Sequence, residues 1–87
     1  MTSQSVQDTY AVTIKQIIAD QTATTEPLTL DTDLLNDLAL DSLEVVEVGV
    51  TIEKKFGRKL PIDRLRQCVT LGELVELARE INEEQKV

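Results

Sequence analysis

The sequence predicts an all-α fold: a small four-helix bundle of three longer helices and one short helix, with a long loop between the first two. Three observations predict it. The 41% apolar content comes almost entirely from Leu, Val, Ile and Ala, with one Phe and one Tyr. Gly and Pro together are scarce, at three and two residues, whereas strand-rich domains draw on aromatic and turn residues. Apolar residues recur at helical spacing in separated blocks. The 87 residues suffice for one domain with one modest core. We place that core over about 6–81, with a polar tail at 82–87.

The first helix is expected from Val6 to Ala19, with Val6, Tyr10, Ile14, Ile17 and Ile18 on one face. Ser5 and Asp8 give it a capping start. The Thr-rich stretch ending in Glu26-Pro27 should stop it. The connection from Gln21 to Leu40 is long for a small bundle. Leu28, Leu30, Leu34, Leu35, Leu38 and Leu40 are its expected anchors, with a helical turn at Asp33 to Asn36.

The second helix should start at Ser42 and end near Phe56. Asp41 is a good N-cap, Glu44 completes a capping box, and Gly57 can end the helix in a left-handed conformation. Leu43, Val45, Val46, Val48, Val50, Ile52 and Phe56 cover more than half its circumference, so it should be the most enclosed helix. A short third helix spans Ile62 to Gln67, with Ile62, Leu65 and Val69 inward. Thr70 and Glu73 form another capping box, opening a last helix with Leu71, Leu74, Val75, Ala78 and Ile81 inward.

The chain has no histidine and one cysteine, Cys68. Ser/His and Cys/His pairs, the common metal sites and an intrachain disulfide are thereby excluded. No catalytic or metal-binding set is expected, and Cys68 reads as a small buried filler. No signal pattern or membrane-length apolar run is present, so a soluble, cytoplasmic protein is expected. A net charge of −7 disfavours nucleic acid and anionic membrane as partners. Every charged residue from Asp20 to Glu53 is acidic. From Lys54 to Arg66 the sign reverses, with Lys54, Lys55, Arg58, Lys59, Arg64 and Arg66 against Asp63 alone. Ser42 is the one place where chemistry could be anchored. Glu44 and Glu47, with no balancing cation before Lys54, read as a docking surface, and Glu53 as its less secure extension.

An ordered set of segments resembles the acyl carrier protein family over roughly Val6 to Ile81. It comprises Asp33-Leu34, the run from Asp37 to Glu47 with Asp41-Ser42-Leu43 at its centre, Glu53-Lys54-Lys55-Phe56-Gly57, Leu60-Pro61 and Thr70-Leu71. The resemblance implies that Ser42, flanked by Asp41 and Leu43, carries a covalent 4′-phosphopantetheine arm. A phosphopantetheinyl transferase would install it from coenzyme A, with Asp41 helping to hold magnesium in that complex. The arm would carry acyl thioesters to acyl-transferring and condensing enzymes of fatty-acid, polyketide or specialised-lipid synthesis. The protein itself would be a monomer and no enzyme. By the same resemblance Val46, Val50, Ile52, Leu60, Ile62 and Ala78 are core residues that also line an acyl pocket.

Departures from the pattern are Ala39, where the family usually has Gly, and the cations Lys54, Lys55, Arg64 and Arg66, where fatty-acid-synthesis carriers are usually acidic. The partners of those carriers present a basic patch. Two alternatives are an aminoacyl or peptidyl carrier on the same fold and, in a different class, a pantetheine-free helical adaptor. Leu38-Ala39-Leu40-Asp41-Ser42 departs from the Gly-Gly-His/Asp-Ser that peptidyl carriers usually have.

Overall fold

The computed structural model describes the backbone of residues 2–25 and 27–84 and the side chains of 9–25 and 27–83. The described residues form four helices: α1 (Thr2–Thr22), α2 (Ser42–Phe56), α3 (Ile62–Gln67) and α4 (Leu71–Glu84). Helix α1 packs on α4 and α2, and α3 packs mainly on α2. The core is aliphatic: Ile14, Ile17 and Ile18 of α1 meet Val45, Val48 and Ile52 of α2, Leu65 of α3, and Leu71, Leu74, Leu77 and Ala78 of α4. Tyr10 and Phe56, the only aromatic residues, stack with ring centroids 5.0 Å apart, tying α1 to the end of α2.

Helix α1 starts before Ser5, so Ser5 lies within the helix and not at its cap. It also runs three residues past Ala19, its last turn supported by Thr22 Oγ1 donating to the Ile18 carbonyl at 2.8 Å. The expected inward place of Val6 and the tail beyond Glu84 lie outside the described residues. Helices α2 and α3 have the predicted bounds.

The long loop is ordered from below by α4. Leu34 N–H donates to the Val69 carbonyl (2.8 Å), Leu71 N–H to Thr32 (2.9 Å) and Gly72 N–H to Leu30 (2.9 Å). Asp33 and Thr70 form an isolated bridge. This seam satisfies two amides of the first turn of α4, which have no partner within the helix. The capping box satisfies others: Thr70 Oγ1 accepts from Glu73 N–H, and Glu73 Oε1 accepts from the amides of Val69 and Thr70.

Leu34 and Leu40 are buried and Leu28 and Leu38 pack against the core, but Leu30 and Leu35 are exposed. The seam uses the backbone of residue 30, and its side chain is left outside. The turn at Asp33 forms as expected, with Asp37 N–H and Leu38 N–H both donating to the Asp33 carbonyl.

Helix α2 is less enclosed than its apolar arc predicts. Its buried face is Val45, Val48, Gly49 and Ile52. Leu43 (66% exposed) and Val50 (43%) point outward, and Val46 is half-buried. In α3 the first residue, Ile62, is 51% exposed, and Val69 is also exposed, while Leu65 and Cys68 turn inward. A six-residue helix has one side against the bundle, and Leu65 occupies it. Gly49 explains how close that side comes: a Cβ there would clash with the Leu65 side chain. The missing side chain lets Leu65 of α3 lie directly against the α2 backbone.

Candidate functional site

Ser42 is the first residue of α2, and the residues around it cap the helix start. Asp41 is in extended backbone, and its Oδ1 accepts from Glu44 N–H at 2.9 Å. Glu44 Oε1 returns the bond from Asp41 N–H at 3.1 Å, a complete capping box. Val45 N–H donates to the Asp41 carbonyl. The box leaves Ser42 itself exposed, and its hydroxyl has no hydrogen-bond partner among the described residues. No histidine or lysine adjoins it in sequence, so a base to deprotonate it must come from outside the chain.

The approach to Ser42 is shaped by Leu40 and Ala39. Leu40 is buried, and its N–H donates to the Leu34 carbonyl at 3.0 Å. Ala39 turns the chain in a left-handed conformation, φ 56°, the region glycine adopts without cost. Further back, Asp33 Oδ1 accepts from the amides of Leu35 and Asn36, and Asn36 Nδ2 donates to Oδ2. The bonds from Asn36, backbone first and side chain second, hold the Asp33 carboxyl below its ordinary range.

The predicted site residues separate into two sets. Asp41, Ser42, Leu43 and Glu44 lie together at the helix start. Glu47, one turn on, is exposed, with its carboxylate free of ion pairs among the described residues. Glu53 is half-buried and has a structural bond of its own: its Oε2 accepts from Leu60 N–H at 2.8 Å and so anchors the α2–α3 connector.

Of the residues expected to line an acyl pocket, Ile52, Leu60 and Ala78 are fully in the core, Val46 is half-buried, and Val50 and Ile62 are outside it. A surface depression of about 580 Å³ lies elsewhere, over α3 and α4, and includes Arg64, Cys68, Val75, Leu77 and Glu80. Cys68 borders it with its thiol bonded to the Arg64 carbonyl. Burial first, then the nearby Glu73 carboxylate, pushes that thiol up to about 11.

The cations of 54–66 divide as well. Arg64 pairs with Glu80 of α4 at 2.7 Å. Lys54, Lys55, Arg58, Lys59 and Arg66 are exposed and have no ion-pair partner among the described residues. Sequence reasoning missed the Arg64–Glu80 pair, because nothing local links residues sixteen apart. It also missed Leu77, although Leu74, Leu77, Ala78 and Ile81 follow a helical period that could have found it.

A family model described as a phosphopantetheine attachment site matches residues 12–83. The chain belongs to the acyl carrier protein family. It is 35% identical over 65 residues to the acyl carrier protein of Coprothermobacter proteolyticus, covering 74% of this chain and 79% of that one. It is 34% identical to the meromycolate extension acyl carrier protein of Mycobacterium leprae, covering 85% and 71%. Among solved structures, an acyl carrier protein from Mycobacterium tuberculosis superposes with a TM-score of 0.77 at 20% identity, covering 82% of this chain and 96% of that one. The acetyl actinorhodin acyl carrier protein of Streptomyces coelicolor gives 0.68 at 22%, covering 83% and 88%.

The carrier therefore works with 4′-phosphopantetheine, with a transferase and with enzymes of synthesis, and is not itself an enzyme. The residues at the start of α2 suit such a group, since an exposed, unbonded hydroxyl sits where backbone amides at a helix N-terminus favour an anion. No helix among the described residues is long and apolar enough to cross a membrane.

Proposed function

We propose that this chain is a single cytoplasmic carrier domain whose arm is attached at Ser42 and whose cargo is an acyl group. The observation that supports it is the unbonded, exposed hydroxyl of Ser42 at the start of a helix capped at both ends. The transferase supplies the base, and Ser42 Oγ bonds to the phosphorus of coenzyme A that carries the pantetheine. The pyrophosphate bridge breaks there, and the nucleotide bisphosphate leaves. When bound, the arm supplies a terminal thiol that holds the acyl group as a thioester.

The chain's own residues present and orient that attachment point. Asp41 uses one carboxylate oxygen to cap α2. Its other oxygen has no partner among the described residues and is available to a magnesium ion held in the transferase complex. Asp41 and Glu44 are negative beside a future phosphodiester, which weakens the pull of the helix dipole, worth about 0.3–1 kcal/mol. Rigidity at the cap, more than charge, is their contribution. Glu47 and Leu43 stand out from the same end of α2 and give a partner an acidic and an apolar contact.

The experiment is direct. Wild type and Ser42→Ala are incubated with a broad-specificity transferase and coenzyme A, and intact masses are recorded. Wild type should gain the mass of one arm and Ser42→Ala none. Modification of the variant would place the arm elsewhere. Inertness of both would leave the pantetheine-free adaptor as the better reading.

A further inference from the structure

The outward face of α2 carries a polarity that the attachment chemistry does not use. Leu43, Glu47, Val50 and Lys54 recur at i, i+4, i+7 and i+11, so they form one stripe along the helix. The buried residues Val45, Val48 and Ile52 lie on the opposite side. All four stripe residues are exposed, the two apolar ones at 66% and 43%. At 1.5 Å per residue, Lys54 stands about 18 Å from Ser42 along the helix axis.

The Ser42 end of this stripe is acidic, with Glu44 and Glu47. The far end is basic, with Lys54 and Lys55, and the connector adds Arg58 and Lys59. None of these four cations has an ion-pair partner among the described residues. No acid sits three or four positions from Lys54 or Lys55 on the helix, so they are not placed for helical ion pairs either. Of the other described cations, Arg64 pairs with Glu80 and Arg79 with Glu76 and Glu83, while Lys15 and Arg66 stand apart from this cluster without an ion pair among the described residues.

We propose that this stripe is a bipolar docking surface for a protein partner whose own face is basic beside the opening that receives the arm and acidic about 18 Å away. The inference rests on Ser42 as the attachment point. Complementary poles fix the direction in which the partner lies on α2, and the exposed Leu43 and Val50 supply apolar contact between them. A partner whose face is basic throughout meets Glu47 favourably and Lys54, Lys55 and Arg58 unfavourably, so the same cluster rejects it.

The test uses the full chain, loaded with arm and acyl group, and two condensing enzymes as probes. One has only Lys and Arg around its opening. The other has Lys and Arg at the opening and Asp or Glu 15–20 Å away, on the order of the distance along α2. Wild type is compared with the triple variant Lys54→Glu, Lys55→Glu, Arg58→Glu, each first checked for loading by mass. Wild type should favour the mixed-face enzyme by tenfold or more in kcat/KM at low salt. The variant should reverse that order, and both preferences should shrink as salt rises.

Equal turnover of both enzymes by wild type and variant alike would overturn the inference while leaving attachment at Ser42 intact. Failure of wild type to load would instead overturn the attachment reading, and this one with it. Binding of wild type, but not the variant, to vesicles containing anionic lipid would assign the cluster to a membrane surface and also overturn it.

Discussion

At the residue scale, two positions hold more energy than their size suggests. Ala39 sits at φ 56°, where an L-residue with a Cβ loses about 1–2 kcal/mol relative to right-handed backbone. Ala39→Gly removes that strain but frees the unfolded chain, which returns about 0.4–1 kcal/mol. The strain should win narrowly. We expect Ala39→Gly to melt a few degrees higher, given roughly 4–8 °C per kcal/mol for a domain this small. Thermal unfolding by circular dichroism measures it, and a lower melting temperature would mean that the loop relaxes around alanine.

Cys68 is the other such position. Its thiol is raised from 9.0 to about 11 by burial. Near pH 8 its thiolate fraction is on the order of a hundredfold below that of a free cysteine, so iodoacetamide should label the folded protein correspondingly slowly. The raised value fixes the sign of the pH effect. Stability from the neutral thiol is intact below 9.0 and is lost as pH climbs from there toward 11, because the unfolded chain ionises first. Cys68→Ala should flatten that alkaline limb.

At the scale of elements, the α2–α3 contact is decided by Gly49. Gly49→Ala gains about 1 kcal/mol of helix propensity but drives a methyl into the buried Leu65 side chain, which must shift within a packed core to admit it. Overpacking costs about 1–3 kcal/mol, so the variant should be less stable by roughly 1 kcal/mol in urea unfolding. The double variant Gly49→Ala with Leu65→Ala should lose less than the sum of its parts, since the new methyl enters the space that Leu65 vacates. Strict additivity would mean that the two side chains do not compete. The turn at Asp33 gives a second element-level expectation. Its lowered carboxyl favours the folded state above the ordinary value of 3.8, and that advantage fades as pH falls through the folded value. The stability gap between wild type and Asp33→Ala should therefore be full at neutral pH and narrow in acid.

At the scale of the molecule, the four helices and the caps of α2 and α4 were legible because local signals specify them, whereas the expected Ser5 cap of α1 lies inside the helix. Asp41 with Glu44, Gly57, and Thr70 with Glu73 mark helix ends by residue type and spacing alone, and α2 and α3 have the expected bounds. The exposed position of Ser42 at the start of α2 was legible for the same reason, since the cap beside it is local. What was not legible depends on long-range packing. Apolar Leu43, Val50 and Ile62 read as core, yet no neighbouring element covers them, and a helical wheel counts hydrophobicity without knowing where the bundle ends. The bond from the Leu60 amide to Glu53 was not legible either, because it appears only once the connector folds back. The seam between residues 30–34 and 69–72 was equally invisible, being built from backbone groups that carry no sequence signature. That seam has a kinetic consequence. Its two sides are far apart in the chain, so closing it costs loop entropy and we expect it to form late in folding. The segment leading to Ser42 should accordingly be the last part to lock and the first to open. In native-state hydrogen exchange, the amides of Leu34, Leu71 and Gly72 should open together, at a lower free energy than those of Val48 or Ile52.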